Sequence, residues 1–261
     1  MVLVRSYPVA VALCVLTMLC WGSWANMQKL ASTQWPFQLF YWDYCLGVLL
    51  LTILFALTLG SLGSGGRRFS ADLRQAAGRY LGYALLGGVV FNIANILLVA
   101  AIDIAGLAVA FPIGIGLALV IGVITTYRVD RTGNPLILFA GVACVTAAII
   151  LDAVAYRRLP SSASEATLTG IVLSIVCGIL MGQFFQFVAR AMPPLDQIDD
   201  RAKRGMLTPY SALVFFALGL FLSSFVFNTI IMLRPFVGDP VPLADYFTKG
   251  NVWLHTVGIL G

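Results

Sequence analysis

The chain has 261 residues, of which 60% are hydrophobic and only 10% charged, with a formal net charge of +5. Soluble domains carry charge on about a quarter of their residues, so this composition excludes an ordinary soluble protein and indicates an integral membrane protein. The Lys and Arg residues lie in short loops and form no continuous basic and aromatic stripe, so we expect no nucleic-acid partner. The five Cys show no CxxC spacing, and we expect neither a metal site nor a bound cofactor.

Apolar stretches of about 20 residues, enough to cross a bilayer, recur along the chain and predict seven spanning helices. One continuous helix over Tyr80–Tyr127 would be about twice as long as a bilayer is thick, so we predict a tight hairpin at Asp103, with Asp103 as N-cap of the fourth helix. The seven predicted segments are Pro8–Asn26, Pro36–Leu59, Tyr80–Ala101, Ile104–Tyr127, Pro135–Tyr156, Leu168–Ala189 and Pro209–Leu233.

The distribution of cations predicts the orientation. If the loops alternate between the two sides, eleven of the 16 Lys and Arg residues lie on the side of the N-terminus and five on the other side. Because cytoplasmic loops carry the excess of Lys and Arg, we expect a multi-pass protein of the cell membrane with a cytoplasmic N-terminus. The segments Arg67–Arg79 and Asp196–Arg204 are then cytoplasmic.

The last apolar stretch, Asn251–Gly261, is only about half as long as a bilayer is thick. We therefore expect a fragment that ends inside its eighth membrane helix. Five helices precede the loop Arg157–Thr167, and an odd-numbered unit forces a following copy to insert upside down, as in inverted-repeat transporters. The predicted fold is an all-α integral membrane bundle of inverted five-helix repeats, with residues 1–156 as the first repeat and 157–261 as an incomplete second repeat.

The end of the first predicted helix carries the stretch CWGSWANMQKL, in which Trp21 and Trp24 share one helical face with Thr17 and Gln28. Two interpretations stay open. The stripe is either an aromatic belt at the membrane interface or the wall of a polar cavity. In the second case the indole rings offer a flat apolar surface with one hydrogen-bond donor, which suits a planar or sugar-like substrate.

Asp43, in the stretch LFYWDYCLG, lies about 10 Å below the outer surface of the second predicted helix. It is either an interfacial carboxylate that reaches water or a group that faces a wet cavity or a polar partner, since an Asp in hydrocarbon costs about 2.5–3.5 kcal/mol. Burial disfavours the charged form of a carboxyl group, as a proton carrier requires. We therefore predict Asp43 as the proton-coupling residue, with Asn92 or Asn95 as its partner.

Other polar or irregular positions fall inside the predicted helices. Asn92 and Asn95 share a face with Gly88 and are either substrate contacts or hydrogen-bonding links between helices. Pro112 removes a backbone donor and predicts a kink or an open carbonyl. Gln183 is a candidate contact on an inner pathway. Asp152 and His255 lie near predicted helix ends, where we expect caps or loop contacts. The candidate substrate-binding residues are Trp21, Trp24, Asn92, Asn95, Pro112 and Gln183.

Several stretches in order, among them CWGSWANMQKLA, FQLFYWDYCLGVLL and GGVVFNIANILLVAAIDIAGLAVAFPIGIGLALVIG, resemble the ureide permease group of the drug/metabolite transporter superfamily. The bacterial glucose and rhamnose porters of that superfamily are more distantly similar. The resemblance implies ten helices in two inverted five-helix units, both termini cytoplasmic and a central substrate site. It also implies proton-coupled uptake of allantoin-like ureides and pyrimidine bases, and family members continue past the end of this chain.

The predicted function is thus a proton-coupled permease for a small polar metabolite such as a ureide, a nucleobase or a sugar. An exporter of the same superfamily and a truncated, inactive fragment are the alternatives. An integral-membrane enzyme is disfavoured, because the chain has a single His and no nucleophile beside a base. The expected partners are the small-molecule substrate and the lipid bilayer, and a homodimer stays open.

Overall fold

The computed structural model describes residues 1–4, 6–129, 131, 133–157, 168–194 and 204–260, and these residues form helices without any strand. Seven of the helices are long and apolar enough to cross a membrane, which confirms the predicted number of spans and an all-α multi-pass membrane protein. The helices are α1 (Tyr7–Ser32), α2 (Phe37–Leu57), α3 (Phe69–Gln75), α4 (Gly78–Ala105), α5 (Leu107–Val129), α6 (Pro135–Arg157), α7 (Leu168–Ala191), α8 (Pro209–Leu233), α9 (Ala244–Thr248) and α10 (Val252–Leu260).

The hairpin between the third and fourth spans differs in detail from the prediction. Asp103 is not an N-cap, because α4 continues past it to Ala105. The chain reverses instead at Gly106, whose φ of +81° is a left-handed conformation that glycine adopts without steric cost. Two short helices, α3 and α9, also form in segments that were predicted as loops.

By contacts between residues, the described chain divides into two units. The first comprises Met1–Gly88 and Val188–Gly261, and the second comprises Val89–Phe187. This division follows spatial packing and does not test the sequence repeats, so the arrangement of residues 1–156 and 157–261 as inverted repeats stays a prediction.

In the first unit α2 packs against α1, α8 and α10. Polar and sulfur-containing side chains link α2 to α8 along its length. The amide of Asn228 donates to the carbonyl of Gln38 over 2.8 Å, and the thiol of Cys45 lies 3.1 Å from the hydroxyl of Ser224. Since Asn228 is near the end of α8 and Gln38 near the start of α2, the two helices run antiparallel.

A buried carboxylate, that of Asp72, links the chain segments at one end of the first unit. Asp72 of α3 is fully buried and accepts hydrogen bonds from Arg67 at 2.8 Å, from Gln75 at 3.1 Å, and from the backbone and hydroxyl of Thr208 at 2.7 and 2.9 Å. Thr208 is the N-cap of α8, as expected for the residue before Pro209. Its hydroxyl does not bond the backbone of the first helical turn but donates to Asp72. The segment 58–77 and the start of α8 therefore lie at the same end.

In the second unit α5 and α7 approach each other through small residues. A Cβ at Gly178 would lie 2.8 Å from the Gly114 carbonyl oxygen, and one at Gly182 would lie 3.1 Å from the Ala118 carbonyl oxygen. These positions belong to the small-residue stripes of the sequence, which are typical of close packing between membrane helices. α5 also packs against α6.

Candidate functional site

Asp43 is the seventh residue of α2 and is buried, with a relative exposure of 1%. Helix formation over Phe37–Leu57 is favoured by a largely apolar sequence, and Pro36 stands immediately before the first helical residue, where its fixed φ is tolerated. The neighbouring residues Phe40, Tyr41 and Cys45 are completely buried. The carboxyl group is therefore enclosed by protein, which agrees with the second interpretation of Asp43, whereas its depth in the membrane and its role stay predictions.

Both oxygens of the Asp43 carboxyl group are engaged by residues from the far end of the chain. The Tyr246 hydroxyl of α9 donates to Oδ1 over 2.5 Å, and Nδ1 of His255 of α10 lies 2.7 Å from Oδ2. The partners sit 203 and 212 positions away in sequence. A buried carboxyl group with a partner on each oxygen avoids the free-energy cost of an unpaired buried charge.

Tyr246 acts as a hydrogen-bond donor in this arrangement. Burial raises the pKa of its phenol, and the hydrogen bond to Asp43 and the nearby carboxylate charge raise that pKa further. Since an ordinary tyrosine has a pKa of about 10, the Tyr246 phenol keeps its proton at physiological pH. It can hold Oδ1 of Asp43 whether the carboxyl group is charged or neutral, by donating to either form.

Trp35 closes the site with aromatic surface. Its indole stacks on Tyr246 with ring centres 5.5 Å apart and meets the edge of His255 at 5.0 Å. Trp35 is 1% exposed, and its Nε1 has no hydrogen-bond partner among the described residues. It belongs to an apolar cluster that surrounds this end of α2, with Ala31, Leu39, Phe40, Met232, Leu254 and Val257.

Two glycines let α10 approach α2 closely enough for this contact. A Cβ at Gly258 would lie 2.5 Å from Cβ of Asp43 and 3.2 Å from its Oδ2. A Cβ at Gly47 would overlap the backbone carbonyl of Ile259. The absence of side chains at Gly47 and Gly258 therefore sets the distance at which His255 reaches the carboxyl group.

His255 corrects one sequence expectation. It was expected to act as a cap or loop contact, but it is the fourth residue of α10 and its ring bonds a buried carboxyl group. One signal in the sequence pointed to it, since it is the only His of the chain and lies within an apolar stretch. Tyr246 had no signal of this kind, because it lies in a loop-like segment rich in Pro and Asp.

The tryptophans of the predicted stripe differ in burial along α1. Gln28 is buried and Trp24 half-buried against Tyr44, with ring centres 5.8 Å apart. Trp21 is 40% exposed, and Thr17 is exposed with its hydroxyl bonded to the carbonyl of Leu13. Trp21 and Trp24 as substrate contacts stay a prediction.

The remaining predicted site residues belong to the second unit. Asn92 and Asn95 are buried within α4, and neither lacks an interaction partner. Pro112 lies inside α5, which stays helical around it, and Gln183 is half-buried on α7. One turn after Gln183, the Gln186 amide donates to the hydroxyl of Thr126 over 3.0 Å. The hydrogen bonds described at Asp43 join it to Tyr246 and His255 of the first unit, and Asn92 or Asn95 as its partner stays a prediction.

Among the described residues, no three His, Cys, Asp or Glu side chains are grouped so that they could hold a metal ion. The groups that meet at Asp43 are a carboxyl group, an imidazole and a phenol, which can exchange protons and hydrogen bonds.

Comparisons with known proteins give the same family as the sequence motifs. The family profile of the ureide permeases matches residues 40–165. Ureide permease 1 of Arabidopsis thaliana is 30% identical over 159 residues, and ureide permease 2 is 32% identical over 162; each match covers 60% of this chain and 41% of the relative. Ureide permease 4 is 24% identical over 329 aligned residues, which cover 100% of this chain and 82% of the relative.

The chain spans about two fifths of the length of the first curated relatives that it matches. No solved structure is a significant match. The matched region 40–165 begins at the buried end of α2 and includes Asp43, Asn92, Asn95 and Pro112, whereas Tyr246 and His255 lie beyond it. The resemblance noted in the sequence is thus confirmed: this chain is a multi-pass, helical membrane protein similar to the ureide permeases.

Proposed function

We propose that this chain acts in a secondary transporter that takes up a small polar metabolite, a ureide, a nucleobase or a sugar, together with protons. The observation that carries the proposal is Asp43, an acidic residue buried within a helix long enough to span the membrane. Charged groups at such depth are costly and mark proton or substrate pathways in membrane proteins. Similarity to proteins named ureide permeases supports the substrate class.

Asp43 is proposed as the group that couples transport to the proton gradient. A coupling carboxyl group must exist in charged and neutral forms during each cycle, and each form needs hydrogen-bond partners inside the protein. Tyr246 and His255 offer one partner to each oxygen. Partners that tolerate both forms allow the proton to leave without stranding an unpaired charge in an apolar environment.

The substrate contacts are separate proposals in the two units. In the first unit, Trp21 and Trp24 offer flat indole surfaces against which a planar ureide or base can stack. In the second unit, the amides of Asn92, Asn95 and Gln183 can both donate and accept, as the urea group of a ureide requires. Pro112 lacks the N–H that would bond the carbonyl four residues earlier, which leaves that carbonyl as an acceptor.

Uptake into proteoliposomes tests the function. The purified chain is reconstituted, and accumulation of radiolabelled allantoin, uracil and glucose is measured with and without an imposed gradient that is acidic outside. We expect accumulation of one of these substrates above its external concentration, and its collapse when a protonophore is added. Mass spectrometry of the recovered substrate checks that it is unchanged, since chemical conversion would favour an enzyme.

Asp43→Asn is the decisive variant, because it keeps the size of the side chain and removes its titration. It should retain exchange of labelled for unlabelled substrate and lose accumulation driven by the gradient. The matched control is Asp239→Asn, the same change at an exposed carboxylate. Accumulation by Asp43→Asn at the wild-type level would assign the coupling to another residue. Accumulation by the wild-type protein only under a gradient of the opposite direction would favour the exporter.

A further inference from the structure

We propose that His255 is the group with which Asp43 exchanges the transported proton, so that the two side chains form one proton-binding pair. The pair has this role only if the chain is the transporter proposed above. The pair joins α2 to α10. Two aromatic rings lie against it, that of Tyr246 from α9 and that of Trp35 from the turn between α1 and α2.

The two members of the pair differ in accessibility. The Asp43 side chain is 2% exposed, whereas the His255 side chain is 31% exposed, with Nδ1 and Oδ2 2.7 Å apart. Because the ring turns Nδ1 toward the carboxyl group, its other nitrogen, Nε2, is the one available to a proton donor from outside. A proton therefore reaches Asp43 through the imidazole, which is the partly exposed member.

The charge of the pair explains why two groups serve better than one. With a neutral imidazole and a carboxylate, the pair carries a net charge of −1, and one added proton makes it neutral. A buried net charge is penalised in an apolar interior, whereas a neutral or internally compensated pair is not. Loading with one proton therefore removes the charge that opposes movement of α10 and α2 within the membrane.

The transfer itself moves one proton and leaves the sum of charges unchanged. A hydronium ion on the exposed side gives a proton to Nε2 and becomes water, which makes the ring an imidazolium. The Nδ1–H bond then breaks while an Oδ2–H bond forms, and the electron pair of the N–H bond stays on Nδ1. Tyr246 keeps its own proton and continues to donate to Oδ1 throughout.

Titratable groups lie on every element that packs around the pair in the described part of the first unit. They are the Tyr246 phenol and the Asp245–Lys249 ion pair of α9, the Tyr41, Tyr44 and Cys45 side chains of α2, Tyr7, Cys14, Cys20 and exposed Lys29 of α1, Tyr210 of α8, and exposed Arg234 and Asp239 in the loop after α8. Of these groups, the Tyr246 phenol donates a hydrogen bond to the pair. None of the described Lys or Arg side chains is within ion-pair distance of Asp43.

The transport test uses His255→Gln, whose amide can still donate one hydrogen bond to Asp43 but cannot carry a proton at physiological pH. We expect exchange of labelled for unlabelled substrate to persist and accumulation driven by a pH gradient to be lost. Thr256→Val, on the exposed side of α10, is the matched control and should accumulate substrate like the wild type. Accumulation by His255→Gln at the wild-type level would overturn the proposal while leaving the proposed function intact.

A second measurement does not depend on that variant folding. The chain has one His, so the ring 15N signals of protein labelled at histidine all come from His255. They should change in Asp43→Asn and stay unchanged in Asp239→Asn. Binding of the substrate that the wild type accumulates should also increase the protonated fraction of the pair at fixed pH, because proton and substrate binding are reciprocally linked in a coupled carrier.

The outcomes separate the two proposals. If the wild type accumulates no substrate, the proposed function fails, and the proton-carrying role of the pair fails with it even where the NMR signals show the hydrogen bond. If the wild type accumulates substrate but the ring signals respond neither to Asp43→Asn nor to substrate, the pair does not carry the proton, and Asp43 works with another donor.

Discussion

Nδ1 of His255 lies 2.7 Å from Oδ2 of Asp43, and this contact joins the fourth residue of α10 to the seventh residue of α2. The two helices meet at glycines on both sides, so that the backbone of Gly258 lies against the Asp43 side chain and the backbone of Gly47 lies against the backbone of Ile259. Packing and proton chemistry are therefore linked at one place: any residue larger than glycine at position 258 must move the carboxyl group or the helix that carries the imidazole.

Gly258→Ala should separate α10 from α2. The new Cβ would lie 2.5 Å from Cβ of Asp43, and an overpacked site of this kind costs about 1–3 kcal/mol. We expect a lower unfolding temperature in detergent and ring 15N signals of His255 that resemble those of Asp43→Asn. The control is Gly22→Ala in α1, where a Cβ meets nothing within 4 Å and the helix gains up to about 1 kcal/mol. An unchanged His255 spectrum in Gly258→Ala would contradict the packing argument.

The spanning helices were predictable because their signal is local. A run of about 20 apolar residues predicts a membrane helix without knowledge of its neighbours, and Pro209–Leu233 was predicted with both of its bounds. Reliance on local signals also explains why the turn at Gly106 was predicted a few residues too early, at Asp103. Asp103 is a good N-cap residue locally, but α4 extends past it, and the left-handed turn falls on the next glycine.

The site was only half predictable. A charge inside an apolar helix is a local signal, and it identified Asp43. Its partners depend on tertiary packing. His255 reaches Asp43 because α10 packs on α2 through Gly47 and Gly258, and Tyr246 lies on the short helix just before α10. No periodicity in the sequence predicts this packing. Asn92 and Asn95 were predicted as partners of Asp43 from a similar estimated depth, and this stays a prediction.

Stability at alkaline pH should depend on Tyr246. Its pKa is raised in the folded state by burial and by Asp43, whereas in the unfolded chain it is about 10. Below pH 10 both states keep the proton, so the contribution of the phenol is complete. Above it the unfolded chain loses the proton first, so stability falls as pH rises. Tyr246→Phe should remove this part of the decline, measured as unfolding temperature from pH 8 to 11. Equal slopes in both proteins would contradict the prediction.

The carboxylate of Asp72 should contribute more to stability than any exposed ion pair. Its four hydrogen bonds fasten α3 to Thr208 at the start of α8, and hydrogen bonds to charged groups contribute about 1.5–3 kcal/mol. Asp72→Asn places the NH₂ group of an amide against the N–H and O–H donors that now bond the carboxylate. It should lower the free energy of unfolding by about 1.5–3 kcal/mol. Asp245→Asn breaks the exposed pair with Lys249 and should cost about 0.3–0.5 kcal/mol. Similar costs for the two variants in denaturant titrations would contradict the assignment.

The orientation of the first unit determines which compartment supplies the proton. Hydrogen bonds place Asp72 and Thr208 at one end of α8, and Asn228 and Gln38 at the other, so α3 and the segment 234–251 lie at opposite ends of the unit. The excess of Lys and Arg predicts that α3 is cytoplasmic. The test starts from a protein whose five native Cys residues are replaced by Ala. In this background we expect an impermeant maleimide to label Asp239→Cys in intact cells, and to label Ser70→Cys only after the cells are permeabilised.

That labelling pattern would put the exposed face of His255 toward the outside, where a gradient that drives uptake supplies its protons. The loop that carries Tyr246 and the first turn of α10 then face the external medium, and a proton enters the pair at Nε2 before it reaches Asp43. The opposite pattern, with Ser70→Cys labelled in intact cells, would reverse the topology. Protons would then reach the pair from the cytoplasmic side, and the uptake driven by external protons that is proposed here would be wrong.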